Sequence, residues 1–93
     1  MKISFDAEKR EKTIQERGLD FVRAGEVFAG ISFTQTDNRF PYGEIRFQTY
    51  GLFEGKVVMV VWTQRGEARH IISMRKCNAR EKKKFASIMG GSR

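Results

Sequence analysis

Four strand-like segments separated by short turn signals fill the middle of the chain, and they limit the fold more than any other feature. Two segments alternate apolar and polar residues at period two, whereas the run from Lys56 to Thr63 is apolar on both faces, as expected of a central strand. Glu54-Gly55 and Arg65-Gly66 indicate tight hairpin turns. An antiparallel meander is therefore predicted, with strands at residues 31–36, 44–52, 56–63 and 67–76.

Helix signals precede this meander. Asp6 can cap a first helix, residues 7–17, and Gly18 can end that helix in the left-handed conformation. Asp20 can cap a second, short helix, whose apolar residues recur at helical spacing until Gly30 closes it. We therefore expect a helical hairpin that covers one face of the sheet.

A third helix follows the meander. Asn78 and Glu81 have the spacing of a capping box, and Gly90-Gly91 should end the helix. Lys2 to Phe5 alternates and predicts a short first strand. The predicted fold class is α+β in the order (β)ααββββα, with an antiparallel four- to five-stranded sheet, an N-terminal helical hairpin and a C-terminal helix. Ninety-three residues predict a single domain, 1–93.

The formal net charge of +7 is concentrated at the C-terminal end. Six basic and six acidic residues cancel over residues 1–31, and three of each cancel over 32–64. Residues 65–93 carry nine basic residues against two acidic ones. This concentration predicts a polyanion site, above all for nucleic acid; the alternative is a solvated helix that keeps the protein soluble. An anionic membrane is disfavoured, because the basic segment lacks a broad apolar face.

Composition argues against several other classes of protein. Cys77 is the only cysteine, so no disulfide framework is predicted. The longest apolar run, Val57 to Trp62, is too short to cross a bilayer, and the N-terminus lacks a signal-peptide segment. His70 is the only histidine, and the carboxylates are scattered among basic residues. We expect a cytoplasmic protein without a metal site, a cofactor or a membrane partner.

An ordered set of local strings resembles the BrnT toxins, a branch of the RelE/ParE-like superfamily, over nearly the whole chain. The N-terminal string, FDAEKREKTIQERGLDFVRAGEVF, matches the family's Phe-Asp start, helix, Arg-Gly turn and second helix. The C-terminal string, RHIISMRKCNAREKKKF, follows VVMVVWTQRGE as the family's Ser-x-Arg-Lys strand end follows its apolar run. Cys77 stands where the family usually has alanine. Phe85 stands where tyrosine is common, so a phenolic role at that position is in doubt.

The resemblance implies a RelE-like ribonuclease fold, inhibition of translation by metal-independent RNA cleavage, and neutralisation by a BrnA-type antitoxin. It also implies a heterocomplex of two toxins on an antitoxin dimer, which binds operator DNA only through the antitoxin. Two other classes remain open on the residues alone. One is a non-catalytic nucleic-acid-binding module, and the other is a ParE-like toxin that acts on a protein target.

Metal-free RNA cleavage needs a proton acceptor for the 2′-hydroxyl, positive charge at the phosphorane and a proton donor for the 5′-oxygen. Arg75 suits a bidentate phosphate clamp, and Lys76, crowded by neighbouring arginines, suits a proton carrier; both could instead simply flank a helix start. Arg46 could contact a second phosphate or pair with Glu67. His70 could be the general acid or a structural residue in an otherwise apolar row.

Three other residues each allow a functional and a structural interpretation. Glu81 could be a base, but its capping position favours a structural role. Trp62 and Phe47 could stack on a nucleobase, but sheet aromatics are more often core. Whether Arg46 and Arg75 share a face depends on the hairpin registers, because two- and three-residue turns are both allowed. The candidate RNA-binding residues are Arg69, Arg80, Lys82, Lys83 and Lys84.

Overall fold

A five-stranded mixed sheet forms the centre of the computed structural model, which describes residues 1–90. Its spatial strand order is β1-β5-β4-β3-β2, and helices pack on both sides, which confirms the α+β class. The strands are β1 (Lys2–Phe5), β2 (Ser32–Thr36), β3 (Phe47–Phe53), β4 (Lys56–Arg65) and β5 (Ala68–Lys76). The helices are α1 (Ala7–Arg17), α2 (Ala24–Ala29) and α3 (Ala79–Gly90).

The first strand corrects the prediction of an entirely antiparallel sheet. β1 runs parallel to β5, with Ser4 opposite His70, whereas β2 to β5 are antiparallel neighbours as predicted. A hairpin forces its two strands to be antiparallel, but β1 and β5 are joined only through the rest of the domain. The direction of β1 is therefore set by tertiary packing rather than by a turn.

Helix α1 lies along the sheet edge, beside the part of β5 that β1 does not cover. The Asp6 carboxylate accepts a hydrogen bond from the Lys9 N–H at 3.0 Å, and Gly18 ends the helix with φ of 68°, as predicted. No residue of α1 is buried, and Arg17 donates to the Met74 carbonyl of β5 at 3.1 Å. Contrary to the predicted two-helix cover, α1 shields an edge, and only the following segment covers a face.

That following segment forms the first core. It starts as a 3₁₀ turn, Phe21–Arg23, rather than as one continuous helix, and the Asp20 carboxylate caps the turn by accepting from the Val22 N–H at 3.0 Å. We call the side of the sheet that it covers the α2 face. The buried residues on this face are Leu19, Phe21, Ala24, Val27, Phe53, Val58, Val60, Trp62, Ile71 and Met74.

Helix α3 packs on the opposite side of the sheet, the α3 face. The predicted capping box is confirmed: Asn78 Oδ1 accepts from the Glu81 N–H, and Glu81 Oε1 accepts from the Asn78 N–H, both at 2.9 Å. Gly90 is the last helical residue, and Gly91, also predicted to end the helix, lies outside the described residues. The buried residues on this face are Tyr50, Met59, Val61, Cys77 and Phe85.

The β4–β5 hairpin contains a register shift that alternation alone does not predict. The turn is Gly66-Glu67, one residue later than predicted, because Arg65 pairs with Ala68. A bulge then breaks the alternation of β5, since Val61 pairs with Ser73 but Trp62 pairs with Ile71. Odd-numbered residues before the bulge therefore share a face with even-numbered residues after it. Ile71 and Met74 both lie on the α2 face, whereas His70 and Arg75 both lie on the α3 face.

The β3 strand begins later than predicted. It starts at Phe47 rather than at residue 44. The carbonyl groups of Ile45 and Arg46 accept hydrogen bonds from groups that are not part of the β3–β4 ladder. The Thr63 hydroxyl donates to the Ile45 carbonyl at 2.6 Å, and the Asp37 N–H donates to the Arg46 carbonyl at 2.8 Å. The β3–β4 turn is Glu54-Gly55 as predicted, with φ of 51° and 77°.

Candidate functional site

His70 lies on the α3 face at the end of the sheet opposite to the N-terminus of α3. Its Nδ1 is 3.0 Å from the Ser4 hydroxyl of β1, which leaves Nε2 for another partner. Desolvation lowers the pKa of the imidazole below its ordinary value of 6.5, and the nearby cations Arg65 and Lys9 lower it further. The bulge removes Met74 from the apolar row that alternation predicted, so His70 shares the α3 face with Ile72 but not with Met74. Its neutral form is favoured near pH 7, and that form can accept a proton.

Lys9, on the first turn of α1, is a second titratable group at this end of the α3 face. Partial desolvation lowers the pKa of its ammonium below 10.5, the charge of Arg46 adds to that effect, and Asp6 opposes it. Lowering the pKa of a lysine makes its ammonium a better proton donor. Lys9 was not among the residues predicted from the sequence, because it is one of several alternating charges on an exposed helix.

Arg46 joins this group through carboxylate and aromatic contacts. Its Nε donates to Glu44 Oε2 at 3.1 Å, and its guanidinium lies 3.9 Å from the centre of the Tyr42 ring. Glu44 also pairs with Arg65 at 3.8 Å, so two arginines share one carboxylate. The alternative of an Arg46–Glu67 pair is wrong, since Glu67 instead pairs with Lys2 at 3.4 Å. We call this group the His70 cluster: Lys9, Glu44, Arg46, Arg65 and His70.

Arg75 lies on the same face but is already paired. Its two terminal nitrogens donate to the two oxygens of Glu81 at 2.8 and 2.7 Å, and one of them also touches Met59 Sδ at 4.0 Å. The Arg75 guanidinium is the main reason that the pKa of Glu81 falls from 4.5 to about 2. The favoured structural role of Glu81 is confirmed. A phosphate at Arg75 must share the guanidinium with Glu81 or displace it.

Lys76, the adjacent residue, faces the other way. It lines two adjoining cavities of about 160 and 200 Å³ at the end of the sheet where β3 and β4 meet. Arg17 and Lys56 line the first cavity with it, and Lys56 and Lys82 line the second. The structure therefore separates Lys76 from Arg75 and from His70. It gives Lys76 a place in a second group of cations, the hairpin cluster: Arg17, Lys56, Lys76 and Lys82.

The five predicted RNA-binding residues also lie in different places. Arg69 is on the α2 face, where its guanidinium lies 4.5 Å from the centre of the Phe28 ring and 4.6 Å from that of Trp62. Lys84 reaches the sheet from α3 and donates to Gln35 Oε1 at 3.0 Å. The interpretation of Trp62 as core is confirmed. The members of the predicted set that stay exposed on α3 are Arg80, Lys82, Lys83 and Lys84.

The α3 face thus brings together only part of the predicted site. His70 and Arg46 lie in one cluster at one end of the face. Arg75 is five residues along β5 from His70, a distance of about 15 Å along an extended strand. Between them a shallow cavity lies against α1, and Lys9, Ile72 and Ser73 are among the residues that line it. The strand registers indicate that Arg46 and Arg75 share the α3 face. Arg46 is separated by an even number of residues from Gln48 and Tyr50, which face α3.

The described residues can be compared with what a metal site and a membrane-spanning helix require. Within residues 1–90, no set of three or more histidine, cysteine, aspartate or glutamate side chains is arranged to bind a metal ion. No helix in the same part of the chain is long and apolar enough to span a bilayer.

The family comparison covers most of the elements described above. The family described as ribonuclease toxin, BrnT, of type II toxin-antitoxin system matches residues 5–81. The chain belongs to the BrnT toxin family. A search of curated proteins gave no match.

Membership of the BrnT family assigns the general activity. The family consists of ribonuclease toxins of type II toxin–antitoxin systems, so RNA is the substrate class and an antitoxin protein is a partner. The matched segment contains the whole His70 cluster and ends at Glu81. The exposed lysines Lys82, Lys83 and Lys84 follow the matched segment directly.

Proposed function

We propose that this BrnT toxin cleaves RNA without a metal ion, and that the reaction takes place at the His70 cluster on the α3 face. The observation that carries the proposal is one arrangement of titratable groups. His70 and Lys9 both have lowered pKa values; the charge of Lys9 acts on His70, and the charge of Arg46 acts on Lys9. Acid–base cleavage of a phosphodiester needs these three kinds of group.

The proposed reaction begins at the 2′-hydroxyl of one nucleotide. His70 Nε2 accepts the 2′-hydroxyl proton while the 2′-oxygen forms a bond to the adjacent phosphorus. Arg46 stabilises the charge that develops on the phosphorane oxygens. The bond from phosphorus to the 5′-oxygen then breaks, and the Lys9 ammonium gives that oxygen a proton. The products are a 2′,3′-cyclic phosphate and a free 5′-hydroxyl. His70 acts here as the base, rather than as the general acid or the structural residue that the sequence left open, because its lowered pKa favours the neutral imidazole.

The remaining cations have a binding role in this proposal. Arg75 and Lys84 hold phosphates of the strand that leaves the His70 cluster, Arg75 by sharing its guanidinium with Glu81. Exposed cations of α3, Arg80, Lys82 and Lys83, add affinity without base selectivity. Lys76 belongs to this binding group rather than to the catalytic one, since it faces the hairpin cluster. Arg69 has no proposed contact with RNA, because its guanidinium is stacked on the aromatic rings of the α2 face.

The cellular part of the proposal follows the family. We infer a RelE-like arrangement, inhibition of translation through RNA cleavage, and neutralisation in the cytoplasm by a BrnA-type antitoxin. Two toxins would bind one antitoxin dimer, and operator DNA would be contacted through the antitoxin alone. An acidic antitoxin segment suits this toxin, because complementary charge speeds association and covers the basic surface. A non-catalytic binding module and a ParE-like poison of a protein target are the competing functions.

The test is a cleavage assay on a single-stranded RNA oligonucleotide in the presence of EDTA. We expect wild type to yield products ending in 2′,3′-cyclic phosphate. His70→Ala and Lys9→Ala should each lower kcat by about 10²- to 10⁴-fold. The matched control is Lys2→Ala, which also removes one positive charge but has a side chain 73% exposed at the start of β1, where it pairs with Glu67. This control should cleave RNA like wild type.

Four outcomes would contradict the proposal, each in a different way. Loss of cleavage in EDTA with recovery in Mg²⁺ would refute the metal-free mechanism. Tight RNA binding without any cleavage would favour the binding module. Growth arrest with intact cellular RNA would favour a protein target. Equal losses in Lys2→Ala and Lys9→Ala would show that only total charge matters, which would remove the His70 cluster from the mechanism.

A further inference from the structure

We propose that Phe40 is a stacking platform for an unpaired nucleobase, so that the RNA must be single-stranded where it meets the β2–β3 loop. This inference rests on the proposed function, because it adds a base-binding subsite to the RNA that the His70 cluster cleaves. The observation that prompts it is exposure. Phe40 is 67% exposed, whereas large aromatic residues are usually buried. It lies in a loop that several charged contacts hold in place.

The loop is organised by one buried carboxylate. Asp37 accepts hydrogen bonds from Arg39 Nε at 2.8 Å, from a terminal nitrogen of Arg39 at 2.7 Å and from the Tyr42 hydroxyl at 3.3 Å. These bonds, with the Arg39 guanidinium first, keep the pKa of Asp37 below its ordinary value of 3.8. The Tyr42 N–H donates to the Phe40 carbonyl at 3.1 Å, which fixes the backbone at the platform itself. Phe40 is therefore held outward by a preorganised loop.

Aromatic and cationic groups surround the exposed ring. The Phe40 and Tyr42 rings meet edge to face, with centroids 5.7 Å apart and planes 73° apart. The Tyr42 ring carries the Arg46 guanidinium on its face at 3.9 Å, so this stack connects Phe40 to the His70 cluster. Arg39, the residue before Phe40, is also oriented towards α3, since its charge acts on Glu81 and Tyr50.

This arrangement fits a nucleobase better than another apolar group. Bases in single strands stack on exposed aromatic rings, whereas bases in a duplex are already stacked on one another. Arg39 precedes Phe40 and Arg46 lies on the adjacent Tyr42 ring, so these cations can contact phosphates that flank a stacked base. The half-exposed Arg39 guanidinium, although it is paired with Asp37, keeps an open side that a purely apolar partner could not hydrogen-bond. Because every base has a π face, the platform should select unpaired RNA with little preference for sequence.

The experiment measures binding of one RNA oligonucleotide, as a single strand and as a duplex with its complement, to non-cleaving His70→Ala protein. In that background Phe40→Ala should weaken single-strand binding by about 5- to 150-fold, the range for loss of one stacked base, and leave duplex binding unchanged. Phe40→Trp should retain single-strand affinity, and its emission should be quenched when RNA binds. Phe40→Leu should lose affinity, because it keeps apolar bulk without a π face.

The matched control is Ile45→Ala in the same loop. Ile45 is also 67% exposed and apolar, but it has no ring, so its truncation should not change RNA affinity. Equal single-strand affinity in Phe40→Ala and the parent would overturn the platform, as would full affinity in Phe40→Leu. Loss of antitoxin binding without loss of RNA binding would assign Phe40 to the partner and overturn it as well. Wild-type protein that neither binds nor cleaves RNA would overturn the proposed function too, whereas wild-type cleavage with an unaffected Phe40→Ala would overturn the platform alone.

Discussion

The Arg75–Glu81 pair should make the stability of this protein depend on pH between about 4.5 and 2. Each pKa unit corresponds to about 1.4 kcal/mol. The fall in the Glu81 pKa from 4.5 to about 2 therefore corresponds to about 3 kcal/mol. The Asn78 N–H contributes part of that fall, and the Glu81 side chain is 17% exposed, so about 2 kcal/mol is expected for the Arg75 part.

The substitution that isolates this part is Glu81→Gln. Glutamine can still accept the capping hydrogen bond from the Asn78 N–H, because capping boxes accept either residue, but it has no charge for Arg75. The folded-state pKa of Glu81 is depressed, so its contribution is complete above pH 4.5 and is lost as the pH falls through about 2. We expect Glu81→Gln to be about 2 kcal/mol less stable than wild type at pH 7. The two proteins should become equal near pH 2.

Urea denaturation monitored by circular dichroism, repeated from pH 7 to pH 2, measures this difference directly. The comparison between two proteins removes the contribution of the other acidic groups, which titrate in both. A constant difference between the curves at every pH would refute the reasoning, because it would show that the cost comes from packing or capping. Equal stability at pH 7 would refute it as well, since the Arg75–Glu81 pair would then contribute nothing.

Three further predictions concern the core and the site. Gly51→Ala should cost about 1–3 kcal/mol in urea denaturation, because its Cβ would lie 2.7 Å from Val27 Cγ1; an unchanged midpoint would contradict this. Burial raises the pKa of the Cys77 thiol to about 11, so iodoacetamide at pH 8 should label it slowly in folded protein and quickly in urea, and equal rates would contradict its burial. The acid limb of kcat/KM should have its midpoint below pH 6.5 if His70 is the base, and a midpoint above 6.5 would exclude that role.

Local signals allowed much of the fold to be predicted from the sequence. Asp6 and the Asn78–Glu81 pair act within three residues of themselves, and both make the capping bonds expected of them. Glu54-Gly55 forms the expected hairpin turn, since its positive φ angles need no distant partner. Features that depend on distant partners were not predictable. The parallel pairing of β1 arises from contact with β5, which is distant in sequence, and the bulge at Ile72 lies within the β4–β5 ladder without a turn signal to mark it.

The bulge had the larger consequence for the site. Strict alternation puts His70 in one row with Ile72 and Met74, and that row predicts a structural histidine. One extra residue in β5 separates His70 from Met74 and turns the imidazole towards charged groups from α1 and the β2–β3 loop. Lys9 was missed for a related reason. Its role depends on α1 lying against β5 near Arg46, and nothing within α1 itself indicates that position.

Several of the basic residues within residues 65–93 are already paired in the folded chain, so the charge of this segment is less available to a ligand than the sequence indicates. Arg75 is paired with Glu81, Arg65 shares Glu44 with Arg46, and Arg69 is stacked on aromatic rings. The exposed cations at this end are instead on α3 and at the β3–β4 hairpin, where solvent screens them and they can bind a phosphate backbone. Within the His70 cluster, desolvation lowers the pKa values of both His70 and Lys9, and groups with perturbed pKa values are candidates for proton transfer. The proposed function therefore gives binding and chemistry to different groups of residues, although a count of charges along the sequence merges them.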